Sequence, residues 1–167
     1  MCARILSPSS RTVNLPCGAF IVIAMALLPS APAGAQGREA ASLAAAKSVT
    51  CTFPTMAVGT WVNGEPAAKV EPAKLMLRFD AINADDGTAR VVGTFGPSDI
   101  IVKLSLGTLH FVQSFRDGPL YTTTIFPREN RPGTLRAVHT RHEFTEVSLP
   151  GFTSRPEQYY GECEVVN

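Results

Sequence analysis

The chain has 167 residues, with 15 Lys+Arg against 14 Asp+Glu and a formal net charge of +1. So even a balance gives no electrostatic footprint for nucleic acid or for an anionic membrane surface. A hydrophobic content of 45% over this length supports one domain with a real core, and no internal repeat, low-complexity tract or charge block interrupts it.

The first residues have the order of an export signal. Arg4 and Arg11 make a positive leader, residues 19–28 (AFIVIAMALL) form an uninterrupted apolar core, and Pro29-Ser30-Ala31-Pro32 ends it. Ala33-Gly34-Ala35 then supplies small residues where a signal peptidase reads them. This predicts a secretory signal peptide over residues 1–35, because an apolar core of about ten residues falls short of the roughly 20 a membrane span needs. Cys17 precedes the apolar core, whereas a lipidated cysteine would follow it, and no Arg-Arg pair is present. Cleavage after Ala35 removes 35 of 167 residues and leaves 132, with 13 basic and 14 acidic groups once Arg4 and Arg11 are gone. The expected location is therefore periplasmic or secreted, with no stable membrane span after signal removal.

Cysteine usage agrees with export. Cys2 and Cys17 leave with the signal, and Cys51 and Cys163 remain. Two cysteines in an oxidising compartment have one intramolecular pairing, and this one would tie the first strand to the last. No Cys-x-x-Cys spacing points to redox chemistry.

Residues 36–48 read as a flexible leader or a marginal helix packed on nothing in particular, since apolar and polar positions are poorly sorted. Residues 49–167 read as a single β domain. It opens with a short strand at 49–53 closed by Pro54, then a second at 56–62 that holds Trp61 and ends at the Asn63-Gly64 turn signal. Residues 65–72, with Pro66 and Pro72, are expected to be a connecting loop. Alternation resumes at 74–82 through Leu75, Leu77 and Phe79, and residues 83–87 (NADDG) turn into a return strand at 88–95. Three runs at 100–106, 108–115 and 120–126 make a meander, with Ile100, Val102, Leu104, Leu106, Leu109, Phe111 and Phe115 at alternating positions. Asp117-Gly118 leaves two registers open. A two-residue turn sets Phe115 against Leu120 and His110 against Ile125, whereas a three-residue loop sets Phe115 against Pro119 and Phe111 against Thr123. Residues 127–133 read as an exposed polar turn, 134–147 as the longest strand, 149–152 as a break, and 158–166 as the closing strand with Cys163.

Eight to nine short strands joined by connections of two to eight residues predict an all-β fold. The expected form is a small antiparallel up-and-down β-barrel with a lipocalin-like meander, and the alternative is a two-sheet β-sandwich. The layout of export signal, all-β domain and a cysteine shortly after Tyr160-Gly161 resembles small exported bacterial proteins with lipocalin-like or other small barrel folds. No motif carries functional residues over from them.

The densest chemistry lies in residues 136–144 (RAVHTRHEF). One face of that strand holds Leu135, Ala137, His139, Arg141 and Glu143; the other holds Arg136, Val138, Thr140, His142 and Phe144. An edge or rim strand whose charges discourage pairing is one reading. The other puts His139 and Arg141 in a barrel mouth, where a guanidinium fork suits a carboxylate or anionic head group. The candidate ligand-binding residues are His139, Arg141 and Tyr121. His139, His142 and Glu143 form the one cluster worth testing for catalysis. His139 and His142 sit three apart on opposite faces, so they do not ligate one metal ion together, and His110 belongs to another strand. Asp85-Asp86 reads as turn chemistry and not as a calcium loop. With no phosphate-cradling glycine loop and no G-x-S-x-G, no cofactor is implied. The functional expectation is a non-catalytic exported protein that binds a small molecule or an envelope component, and the alternative is a filled-core interaction module.

Overall fold

Eight strands pair antiparallel in chain order, and the last returns to hydrogen-bond the first. The computed structural model describes residues 34–93, 96–116, 118–144 and 154–166. Helix α1 (Gly34–Ala45) precedes β1 (Ser48–Val62), β2 (Glu65–Asn83), β3 (Thr88–Gly93), β4 (Gly96–Ser105), β5 (Thr108–Ser114), β6 (Leu120–Arg131), β7 (Thr134–His142) and β8 (Glu157–Val166). The protein is all-β apart from α1, and a single sheet running round in a ring takes in every strand, so the two-sheet alternative falls. All of the expected signal segment but its last two residues lies outside the described residues. So do Phe95, Asp117, the 145–147 end of the long strand and the break at 149–152.

Period-two alternation puts one set of side chains inside the closed sheet. Val49, Cys51, Phe53, Phe79, Val102, Leu109, Phe111, Ile125 and Cys163 are all buried there. The two cysteines face each other across the β1–β8 seam, with paired Cα atoms 4.0 Å apart, and form a disulfide. The seam also contains a bulge, since the register of β1 shifts between Thr52 and Thr55. The extra residue reverses the inward parity, so burial moves from Val49, Cys51 and Phe53 to Val58. Gly161 on β8 lies against this bulge. A Cβ there would sit inside the envelope of the Thr52 carbonyl oxygen and 2.8 Å from Phe53 Cα. Only glycine fits so close a backbone approach without movement of the seam.

Several expectations change. The two short strands before Asn63 are one strand, because the bulge absorbs Pro54 without ending the pairing. Residues 65–72 are not a loop but the first half of β2. Pro66 and Pro72 pair with Trp61 and Thr55, and β3 joins β2 only from Arg78 onward, so among the described residues the other edge of this half is open. Proline is tolerated on an open edge because its missing N–H is not called on by any neighbour, and it discourages another chain from pairing there. Likewise β6 continues to Arg131 through an irregularity between Ile125 and Glu129, which shrinks the polar turn to Pro132 and Gly133. Leu106 leaves the alternation altogether. It and Gly107 take φ values of +50° and +77° in a two-residue turn, and its side chain is fully exposed. Strand β7 is no edge, for β6 and β8 flank it on both sides.

The β5–β6 connection takes the three-residue form. Phe111 pairs with Thr123, and Phe115 N–H donates to the Pro119 carbonyl at 3.0 Å. Thr123 therefore points inward. Helix α1 differs most from expectation, because Leu43 and Ala46 just after it are buried in the core. Ile82 N–H donates to the Lys47 carbonyl at 3.1 Å, and a Cβ on Gly107 would approach Ala40 Cβ to 2.8 Å. The helix thus stoppers the end of the closed sheet that carries the β4–β5 turn. Leu43 and Ala46 suffice for this, so the segment shows little periodicity in sequence.

The disulfide closes a separation of 112 residues. Replacing both cysteines by alanine is expected to lower the unfolding free energy by about 2–5 kcal/mol, as read by urea denaturation followed by circular dichroism. An unchanged midpoint would show that strand pairing alone holds the seam.

Candidate functional site

Among the described residues, no side chain fills the end of the closed sheet away from α1. A cavity of about 280 Å³ opens there. Its floor is apolar. Phe79 and Phe111 stack with centroids 4.1 Å apart and planes 9° from parallel, and Leu75, Leu77, Val91 and Ile100 surround them. Its polar wall comes from Tyr121 and Thr123 of β6 and His139 and Arg141 of β7, and β8 backs that wall. Tyr121 lies directly across from Arg141 and Thr123 from His139 between β6 and β7, while His139 faces Tyr159 and Arg141 faces Glu157 between β7 and β8. Directly paired residues on the inner face hold their side chains within contact distance, which gathers the cluster.

His139 is 4% exposed, and Phe53, Tyr121 and Tyr159 surround it with centroids 5.9, 6.0 and 5.7 Å away. Arg141 Nε lies 3.3 Å from His139 Nε2, and a guanidinium can only donate, so Nε2 accepts. The imidazole proton is then on Nδ1, which donates to Thr123 Oγ1 at 2.8 Å. Burial pushes the His139 pKa down to about 3, and the Arg141 charge adds to that shift. The ring is a neutral spacer that fixes the orientation of the guanidinium.

Arg141 is held from both sides. Its guanidinium carbon is 5.3 Å from the Tyr121 ring centroid and 5.2 Å from that of Tyr159, an arrangement favoured by the quadrupoles of both rings. Tyr121 Oη donates to Glu143 Oε2 at 2.9 Å and Tyr159 Oη donates to Glu157 Oε2 at 2.5 Å. Burial first, and then these bonds to glutamate, push both phenols up to about 12, so both remain donors at neutral pH. Arg141 Nη1 is 3.9 Å from Glu157 Oε2, beyond hydrogen-bond length.

No family model, curated protein or solved structure matches this chain. The three candidate ligand-binding residues, Tyr121, His139 and Arg141, share one wall of one cavity. The three residues of the catalytic cluster separate. His139 is inside, His142 is exposed on the opposite face, and Glu143 sits at the mouth as the partner of Tyr121. His110 lies outside the cavity lining, and its Nδ1 is 3.1 Å from Thr124 Oγ1. No group of three or more His, Cys, Asp or Glu converges among the described residues. Sequence reasoning missed Tyr159, Glu157 and the Phe79–Phe111 floor. Counting back from the inward Cys163 in steps of two reaches Gly161, Tyr159 and Glu157, which is the signal that would have found two of them.

The depressed His139 pKa sets a pH dependence. The unfolded chain binds this proton near pH 6.5 and the folded chain only near 3, so the unfolded state holds more protons between those values. Stability from this group is full above about pH 6.5 and falls as pH drops toward 3. His139→Gln is expected to flatten the acid limb of a stability–pH curve measured by denaturant titration. Parallel curves for the two proteins would refute a buried neutral His139.

Proposed function

We propose that this protein is an exported up-and-down β-barrel of lipocalin-like form that binds one small, mostly apolar molecule without transforming it. The observation that carries this reading is the cavity at the end away from α1, with its aromatic floor on one side and a cluster of oriented polar groups on the other. That division suits a ligand with an apolar body and one polar end. Ligand pockets usually combine an apolar lining with a few converging polar groups, and their volumes run from about 300 to about 1,000 Å³. At about 280 Å³ this one suits a single ring system or a short chain. The buried Cys51–Cys163 disulfide is consistent with an oxidising compartment, and residues 1–35 supply the export signal on our reading.

A filled-core interaction module is the second reading. In its favour, the β1–β2 arm extends past the closed sheet and presents Trp61, 56% exposed, edge-on to Phe144 at 5.8 Å, with Val62 and Val70 also exposed. Uptake of the small neutral fluorophore 1-naphthylamine, a single fused ring system, separates the two. The carrier reading expects saturable fluorescence enhancement with one site per chain, abolished by Val91→Phe, which fills the cavity above the Phe79–Phe111 floor. No enhancement with the native protein would remove the carrier reading and leave the arm as the working surface.

A further inference from the structure

We propose, resting on the reading that the cavity holds a small molecule, that its ligand is a carboxylic acid in anionic form, received by Arg141. Three observations carry this. First, the guanidinium lines the cavity with only 18% of the side chain exposed, and its one hydrogen bond among the described residues is spent through Nε on His139. The two terminal nitrogens, which form the fork that matches a planar carboxylate, hydrogen-bond to no side chain there. Second, each nearby carboxylate accepts a tyrosine bond, Glu157 from Tyr159 Oη and Glu143 from Tyr121 Oη. Glu157 keeps only a long ion pair of 3.9 Å with Nη1, beyond hydrogen-bond length, while the tyrosine rings hold the fork in place. Third, the apolar floor of Phe79 and Phe111 gives the remainder of such a ligand an aromatic surface. A protein with no use for an inward cation would bury an apolar side chain here, because a partly desolvated guanidinium with unmatched donors costs stability.

Glu157 defines the sign of a further effect. Its carboxylate stands 3.9 Å from Nη1, near enough to repel an incoming anion and to draw the guanidinium toward itself. Removing that charge improves the site for a carboxylate and leaves a neutral ligand indifferent. A binder of neutral compounds lacks this asymmetry.

The test is isothermal titration of the full exported protein with 4-phenylbutyrate and with 4-phenylbutanol, which share a body and differ in the polar end. The acid is expected to bind about tenfold or more tightly than the alcohol, the usual worth of a charge-assisted pair of hydrogen bonds. Arg141→Met is expected to erase the preference, and Glu157→Gln to tighten the acid severalfold with the alcohol unchanged. Equal binding of acid and alcohol by the native protein, with Glu157→Gln neutral for both, overturns the carboxylate assignment and leaves the carrier reading intact. If neither compound binds and 1-naphthylamine is not taken up, the carrier reading fails and this inference with it. The acid-to-alcohol ratio in the native protein and the Glu157→Gln result decide the matter even if Arg141→Met does not fold.

Discussion

Everything inside this molecule depends on the closure of β8 against β1. An open eight-stranded meander has two free edges and one curved face, and the inner side chains would meet only their immediate neighbours. Pairing the last strand with the first brings Phe53 of β1 within range of His139 of β7, and Tyr159 of β8 beside both. The seam is built from three unlike elements that support one another. Backbone pairing supplies direction, the disulfide removes the alternative in which the ends separate, and the bulge at Pro54 bends β1 hard enough to complete the turn. Gly161 is where these meet, since the bulged backbone occupies the space a side chain on β8 would need.

The two ends of the closed sheet are treated differently. At one end α1 and the adjoining Ala46 fill the interior, so apolar contact continues out to the helix. At the other, large side chains line the wall and leave a space between them. A charged group can be kept there because its environment is arranged around it. Two aromatic faces hold the guanidinium, and a neutral imidazole, itself fixed by Thr123, accepts its Nε–H. Burial first, and the Arg141 charge second, depress the His139 pKa, whereas burial and the bonds to Glu143 and Glu157 raise both tyrosines against the pull of that charge.

Alternation was the most informative signal in the sequence, and it failed in specific places. It located the meander because β4, β5 and β6 have one face in the core and one in solvent. It assigned His139, Arg141 and Glu143 to a common face, which β7 has. It misjudged β2, because the prolines that suggested a loop occupy an open edge where no neighbour asks for their N–H. The sequence offered a marginal helix where α1 lies but not its packing, which among the described residues rests on Leu43 and the adjoining Ala46. Leu106 shows the converse: its place in the pattern was apolar and in phase, yet the turn it enters demands positive φ and turns it out to water.

The amino-acid sequence by itself determined that this is an all-β chain, that Cys51 and Cys163 would join the first and last strands, and that residues 136–144 carry a dense set of titratable side chains. Those follow from local rules, since period, turn chemistry and composition act over a few residues. Only the tertiary structure decided that β7 is an inner strand with neighbours on both sides, that Thr123 and not Thr124 faces inward, and that Tyr159 and Glu157 complete the cluster around Arg141. The reason is that cross-strand neighbours are set by register. Register depends on the three-residue β5–β6 loop and on the closure of the sheet, and neither leaves a trace in the residues it brings together.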